Sequence, residues 1–538
     1  MAPVDHISFG KIKIPDASRG MGVRVVAGKG SGKSRLIGRT LVVQDFAKRI
    51  PTLVIDPTGV LINNVLDKII RMPPPVAQVA LKRIRYINLA GEHDPQGITR
   101  IMPFPILYHA RTPFDAAQRF PDVIERIDPD LRSAPMLGIE ALRNIATDVG
   151  SVLYAMGWQY SEAETLLFHA NDYRDQIMQA VAREPSIRAS AENLLDQFPT
   201  LRPQEQQMQI SSFLARTRRF SRDAFSRTIF CADEPALSWD EMLEKRLLVL
   251  IDLAKVPTAQ RKFAMQWIYQ SFIDWVRIES GLERPLPISL VIDELTEMLG
   301  NPADNADPMA EALRQLLDVI ARNHKVWVTV LHQEENQVSL QVQRRLNGIG
   351  NQFYGVTSDP DSAVRTARRY HPFDPDWIRR QENVWGSRPI GDGYTTPRDT
   401  EHFVLDTREV DYSIQEQLEI NSRDYVQMPP FSFMVGVSPR EGQIPSSLNL
   451  LTTAHIDPGQ FPQMDKLPLV RAMLMGRDGR VLDEVLQEIE RRTGTGGDTA
   501  ANDREENTDA VRDEDSPQDE NPAQPFGLTR RTPKPKSP

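Results

Sequence analysis

Gly22-Val23-Arg24-Val25-Val26-Ala27-Gly28-Lys29-Gly30-Ser31-Gly32-Lys33-Ser34 is the stretch that decides the fold. Its first five residues are rich in β-branched side chains and read as a buried strand. Beyond Ser34, apolar residues recur at Leu36, Ile37, Leu41 and Val42, which is a helical face. The glycines between strand and helix let backbone N–H groups turn inward and cradle phosphate oxygens at the helix N-terminus. In that geometry Gly28, Lys29, Gly30, Ser31, Gly32, Lys33 and Ser34 bind the nucleotide, Lys33 reaches the β/γ-phosphates and Ser34 ligates Mg²⁺. Ala27 takes the first glycine position of the pattern. A chance glycine-rich turn is the bland alternative, and the strand before and helix after argue against it.

Working outward, Pro51–Ile55 reads as a second buried strand ending on the turn Asp56-Pro57-Thr58-Gly59. Strand, helix and strand make a βαβ unit, so a mainly parallel sheet covered by helices is expected. The strand pattern resumes at Leu247–Asp252, Ser289–Asp293, Val326–Leu331, Gln352–Val356 and Phe433–Val437, with helices at Gln260–Ser280 and Met309–Asn323. Asp293-Glu294 closes one of these strands. Beside a phosphate loop, the first carboxylate holds the Mg²⁺ shell and the second activates water. Gln333 follows the next strand, where a polar side chain faces the γ-phosphate crevice. Arg322 precedes that strand at a helix end, and from spacing alone it either caps carbonyls or reaches a neighbouring subunit's nucleotide.

From Pro113 to Asp240 the pattern is helical. Leu142, Ile145, Ala146, Val149, Val152, Leu153 and Met156 share one face, and Ser161 with Glu164 suggests a capping box. Arg216, Arg218, Arg219 and Arg222 interleave with Phe213, Phe220 and Phe225. They read either as a DNA-binding stretch or as a core stripe with a solvated basic face. The expected organisation is 1–112 and 241–440 as two parts of one α/β ATPase domain, 113–240 as an inserted all-α domain and 441–493 as a C-terminal extension. Residues 494–538, rich in Gly, Asp, Glu, Asn and Pro, read as a disordered tail. The net charge of −9 over 538 residues argues against a protein that coats nucleic acid, although a narrow basic channel stays open. No stretch is long and apolar enough for a membrane span, and a single cysteine, Cys231, suits a reducing, cytoplasmic setting.

With these pieces in order, residues 20–440 resemble the FtsK/HerA superfamily of DNA-pumping ATPases, and within it the TraG/TraD-like coupling ATPases of type IV secretion and conjugation. Gly28–Ser34, Asp56-Pro57-Thr58-Gly59, the helical insertion, Val291-Ile292-Asp293-Glu294, Arg322-Asn323-His324-Lys325, Gln333 and Asn347–Arg369 carry the likeness. The resemblance implies a RecA-like core hydrolysing ATP with Mg²⁺, and DNA threaded through a homo-hexamer. It further implies Arg322 as a finger in trans, Gln333 as γ-phosphate sensor and Asp56 in a structural role. Thr58 replaces the family's lysine, and His332 and Glu334 flank Gln333 where the family more often has small residues and proline. Coupling proteins usually begin with transmembrane helices, whereas this sequence opens almost directly at the first ATPase strand, so no transmembrane segment of its own is expected. The partners this implies are a secretion-channel, relaxase or membrane-anchor protein, with a cytoplasmic location that becomes peripheral at the inner membrane through a partner. A helicase-like or packaging motor and a nucleotide-gated switch are the alternatives.

Overall fold

The computed structural model describes residues 5–493 apart from 109, 129–135, 279–285, 300–307, 372, 391–398, 439–447 and 453–465. The tail expected at 494–538 lies outside the described residues.

Among the described residues nine strands form one sheet. In spatial order they are Asn449–Thr452, Ser432–Gly436, Asn351–Tyr354, Val23–Val26, Val326–His332, Ile288–Ile292, Thr52–Asp56, Leu248–Asp252 and Ile84–Asn88. The seven from Asn351–Tyr354 to Ile84–Asn88 run parallel, and the other two continue antiparallel at one edge. Strands such as Leu248–Asp252 and Ile288–Ile292 are buried at every position, as their mainly apolar composition suits in a sheet covered on both faces. The phosphate-loop strand Val23–Val26 is central. Its neighbour Val326–His332 lies between it and the strand that leads into Asp293-Glu294. That order brings the ends of three strands to one crevice at the carboxyl edge of the sheet.

Between Ile101 and Leu248 the described residues form helices and connections, from Pro113–Ile127 to Trp239–Glu244. Their core is aromatic: Phe120 packs on Tyr160 with ring centroids 4.6 Å apart, and Phe213 and Phe220 each lie 5.9 Å from Phe120. The capping box falls on Gln159 and Glu162 instead of Ser161 and Glu164, because Glu162 reaches back to the Gln159 N–H at 2.8 Å. Glu164 instead pairs with Arg218 at 2.8 Å.

Three further features surround this frame. An N-terminal hairpin, His6–Phe9 with Ile12–Pro15, buries Ile7, Phe9 and Ile14 against the sheet. A long antiparallel ribbon pairs Ile378–Ile390 with Asp399–Asp411. Helix Lys466–Asp478 lines the opposite edge, where Arg85 Nη1 donates to Asp478 at 2.8 Å.

Candidate nucleotide site

The phosphate loop turns because of its glycines. Gly30 and Gly32 have φ of +79° and +97°, a region that side chains disfavour. A Cβ on Gly32 would also run into the Phe431 ring. Lys33 opens a helix that continues through a π-turn stretch, Ile37–Val42, to Ala47. The first N–H groups of such a helix have no partner within it. Ser31 Oγ and Arg35 Nη1 are buried without a hydrogen-bond partner. The space beside Gly30 is open. Orphaned donors around an open turn are what a polyphosphate would satisfy.

Across the crevice, Lys33 Nζ lies 2.7 Å from Glu294 Oε1, and both side chains are buried. Gln333 Nε2 donates to the same oxygen at 3.1 Å. Ser34 Oγ donates to Asp293 Oδ2 at 2.9 Å. Lys33, Ser34, Asp293, Glu294 and Gln333, drawn from three parts of the sequence, thus meet in one place. Burial pushes the Asp293 carboxyl up to about 8, with Asp56 and Glu294 adding repulsion and Lys33 and Ser34 opposing it. A hydroxyl and a buried carboxylate facing each other, with too much negative charge nearby, make a donor set that fits a hard cation such as Mg²⁺. Glu294 itself holds φ +45° and ψ +58°. A left-handed conformation costs a non-glycine residue roughly 1–2 kcal/mol, and such strain gathers at functional positions.

Asp56 is fully buried and organises the next helix. Its Oδ1 accepts the N–H groups of Thr58 (2.9 Å) and Gly59 (2.8 Å) and the Thr58 hydroxyl (2.9 Å), while Oδ2 accepts the Ile62 N–H (3.0 Å). The turn is therefore a helix-starting device beside the crevice. Thr58 contributes a bond to that device through its hydroxyl.

Arg322 is the middle residue of the short helix Ala321–Asn323, just before the amino end of the strand Val326–His332. The crevice is at the carboxyl end of that seven-residue strand, about 20 Å away at roughly 3.3 Å per residue. Arg322 is thus on the far edge of the sheet from its own phosphate loop. The basic stretch from Arg216 to Arg222 divides differently. Phe213 and Phe220 are core residues. Arg216 pairs with Asp128 at 2.8 Å, and Arg218 with Glu164. Arg219 is half-buried and Arg222 is exposed. Cys231 is buried, and burial raises its thiol to about 12.

Two neighbours of the loop escaped the sequence reading. Arg35 follows the loop directly, with its guanidinium 5.8 Å from the Phe431 ring centroid. Phe431 donates its N–H to Ser31 O at 3.0 Å while holding φ +65°. Arg35 was readable as a cation next to the motif. Phe431, almost 400 residues downstream, carried no signal.

No protein-family model matches the sequence, and no curated protein matches it. Among solved structures the chain is similar to the bacterial conjugative coupling protein TrwBdeltaN70, with 13% identity, 85% of this chain and 90% of that chain covered, and a TM-score of 0.52. It is similar also to the plasmid coupling protein TrwB in complex with the non-hydrolysable analogue GDPNP (13% identity, 85% and 91% covered, TM-score 0.50) and with the ATP analogue ADPNP (12%, 85% and 91%, 0.50). The fold is thus of the RecA-like P-loop kind found in a conjugative coupling protein, and the resemblance read from the motifs extends to the fold. Among the described residues no helix is long and apolar enough to cross a membrane.

Proposed function

We propose that the chain is a Mg²⁺-dependent ATPase that moves DNA, or a DNA–protein complex, toward a type IV secretion or conjugation channel. The convergence of Lys33, Glu294 and Gln333 on one carboxylate oxygen, beside the Ser34–Asp293 pair, is the observation that carries the ATPase reading. Ser34 and Asp293 would hold the metal, and Gly28–Ser34 the phosphates. Mg²⁺ supplies neutralisation of the charge that builds on the phosphates during transfer. Lys33 exchanges Glu294 for phosphate oxygens. Glu294 Oε1 then accepts the proton of the attacking water, which Gln333 orients. The position of Arg322, remote from its own loop, suits a finger offered to a neighbouring copy in a homo-hexameric ring. The likeness in fold to a plasmid coupling protein solved with an ATP analogue supports ATP as the nucleotide, and DNA as the cargo is what the resemblance of the motifs implies. Attachment to the inner membrane would come through a partner.

The test is the rate of phosphate release with and without single- and double-stranded DNA, together with particle mass. DNA-stimulated hydrolysis by a six-copy particle is the expected result. Hydrolysis indifferent to DNA would overturn the translocase reading in favour of a nucleotide-gated switch.

A further inference from the structure

Gln333 lies between two residues that depart from the resembled family, and both are anchored. His332 is fully buried at the end of its strand. Arg24 Nε donates to its Nε2 at 3.1 Å. A guanidinium has only hydrogens to offer, so Nε2 carries the lone pair and Nδ1 the proton. Nδ1 faces the Glu334 carbonyl oxygen at 3.3 Å and donates to it. Burial and the Arg24 charge both keep this imidazole neutral. Arg24 is itself a fixed point. It is buried in the phosphate-loop strand, with Nη1 on Asn347 Oδ1 at 2.7 Å and Nη2 on Glu335 Oε1 at 3.1 Å.

On the other side, the buried Glu334 carboxylate accepts the Ser358 N–H at 3.1 Å, the Ser358 hydroxyl at 2.9 Å and the Thr357 hydroxyl. Burying a carboxylate is costly unless it is hydrogen-bonded, and these charge-assisted bonds are of the strong kind. The loop that Glu334 grips is tied to the phosphate loop, because Gly28 donates its N–H to Val356 O at 2.7 Å. Between the two anchors, Gln333 is partly exposed and points its amide at Glu294.

We propose that Glu334, together with His332, is a positioning residue for Gln333. The two clamps fix the backbone on either side of it, so that its amide meets Glu294 in register with the phosphate loop. This inference rests on the ATPase reading above. Displacing such a group by about 1 Å can cost about 10²-fold in rate, so small slack in the loop is enough to matter.

Four proteins test it: Glu334→Ala, Glu334→Gln, Gln333→Ala and the double variant Gln333→Ala/Glu334→Ala. Glu334→Ala should lower kcat by roughly 10- to 100-fold, while its affinity for a fluorescent ATP analogue stays at the wild-type value. Glu334→Gln keeps an acceptor for Ser358 and a donor for Thr357, and should recover most of the rate. The double variant should be no slower than Gln333→Ala, because Glu334 acts through that amide. Losses that multiply, or a Glu334→Ala protein with wild-type kcat, would overturn the proposal. If Glu334→Ala does not fold, Thr357→Val/Ser358→Ala releases the clamp from its other side and enters the same cycle. Amide hydrogen exchange over 332–336 should rise in Glu334→Ala and not in Gln333→Ala. Unchanged exchange there overturns the clamp even in a chain without turnover. Absence of hydrolysis in the wild-type protein, by contrast, sinks the ATPase reading alone.

Discussion

The Glu294 carboxylate holds Lys33 at 2.7 Å and Gln333 at 3.1 Å with the same oxygen. Glu294→Gln keeps the shape and a hydrogen-bond acceptor but removes the charge. Lys33 is then buried without its counter-charge, and loss of one partner from a buried ion pair costs roughly 3–5 kcal/mol. The retained amide oxygen places the expected loss near the lower end, about 3 kcal/mol. Phosphates would return a counter-charge to Lys33, so most of that loss should be recovered when ATP binds. Since about 1.4 kcal/mol is tenfold in affinity, ATP should bind up to roughly 100-fold more tightly than to the wild type. Loss of the proton acceptor should meanwhile slow hydrolysis by about 10²–10⁴-fold. Denaturant midpoints with and without ATP, nucleotide titration and phosphate release together read all three effects. Near-normal turnover would refute the assignment of Glu294 as base. An unchanged midpoint without nucleotide would refute the buried pair.

Four further outcomes are expected. Gly32→Ala should weaken nucleotide binding and destabilise the chain by roughly 1–3 kcal/mol, since its Cβ meets the Phe431 ring at a positive φ; titration and melting measure this. Asp56→Ala strands several buried donors at the start of the helix Val60–Ile70, each worth about 1–3 kcal/mol, and thermal unfolding should fall well below wild type. Mixing Arg322→Ala copies with Lys33→Ala copies should restore hydrolysis that neither has alone, because a trans finger is worth about 10³–10⁵ in rate; a stable mixed ring without recovery would return Arg322 to helix capping. Cys231, buried with its thiol raised to about 12, should resist thiol reagents at neutral pH until the chain is unfolded.

The parts of this molecule legible in its sequence are those where one physical demand dominates. Strands buried on both faces are largely apolar, so the apolar runs within Thr52–Asp56, Leu248–Asp252 and Ile288–Ile292 stood out. The phosphate loop was legible because its glycines serve backbone geometry that other residues resist. The ribbon Ile378–Ile390 with Asp399–Asp411 was not, since exposed positions such as Asn383, Trp385 and Asp406 impose no alternation. The N-terminal hairpin could have been found: Ile7, Phe9, Ile12 and Ile14 alternate around Gly10. Within the site, Lys33, Asp293 and Glu294 were readable from motif order. The anchoring of His332 and Glu334 was not, because it depends on Arg24, Thr357 and Ser358, far away along the chain. Phe213 and Phe220 show the reverse difficulty. Seven-residue spacing placed Phe213 and Phe220 on one face, and only packing told that this face is the core.

Phe431 has one more consequence. Its N–H is bonded to Ser31 in the phosphate loop, and its ring lies against Gly32. Following the chain backward from it, one helix, Ile414–Val426, leads to Asp411 and the foot of the ribbon. Trp377 and Tyr412 pack together at that foot, joined by a backbone hydrogen bond. The ribbon is therefore joined to the phosphate loop along the chain by one helix and the short connection that ends at Phe431, so the two are linked more directly than the nearly 400 residues between Ser31 and Phe431 suggest.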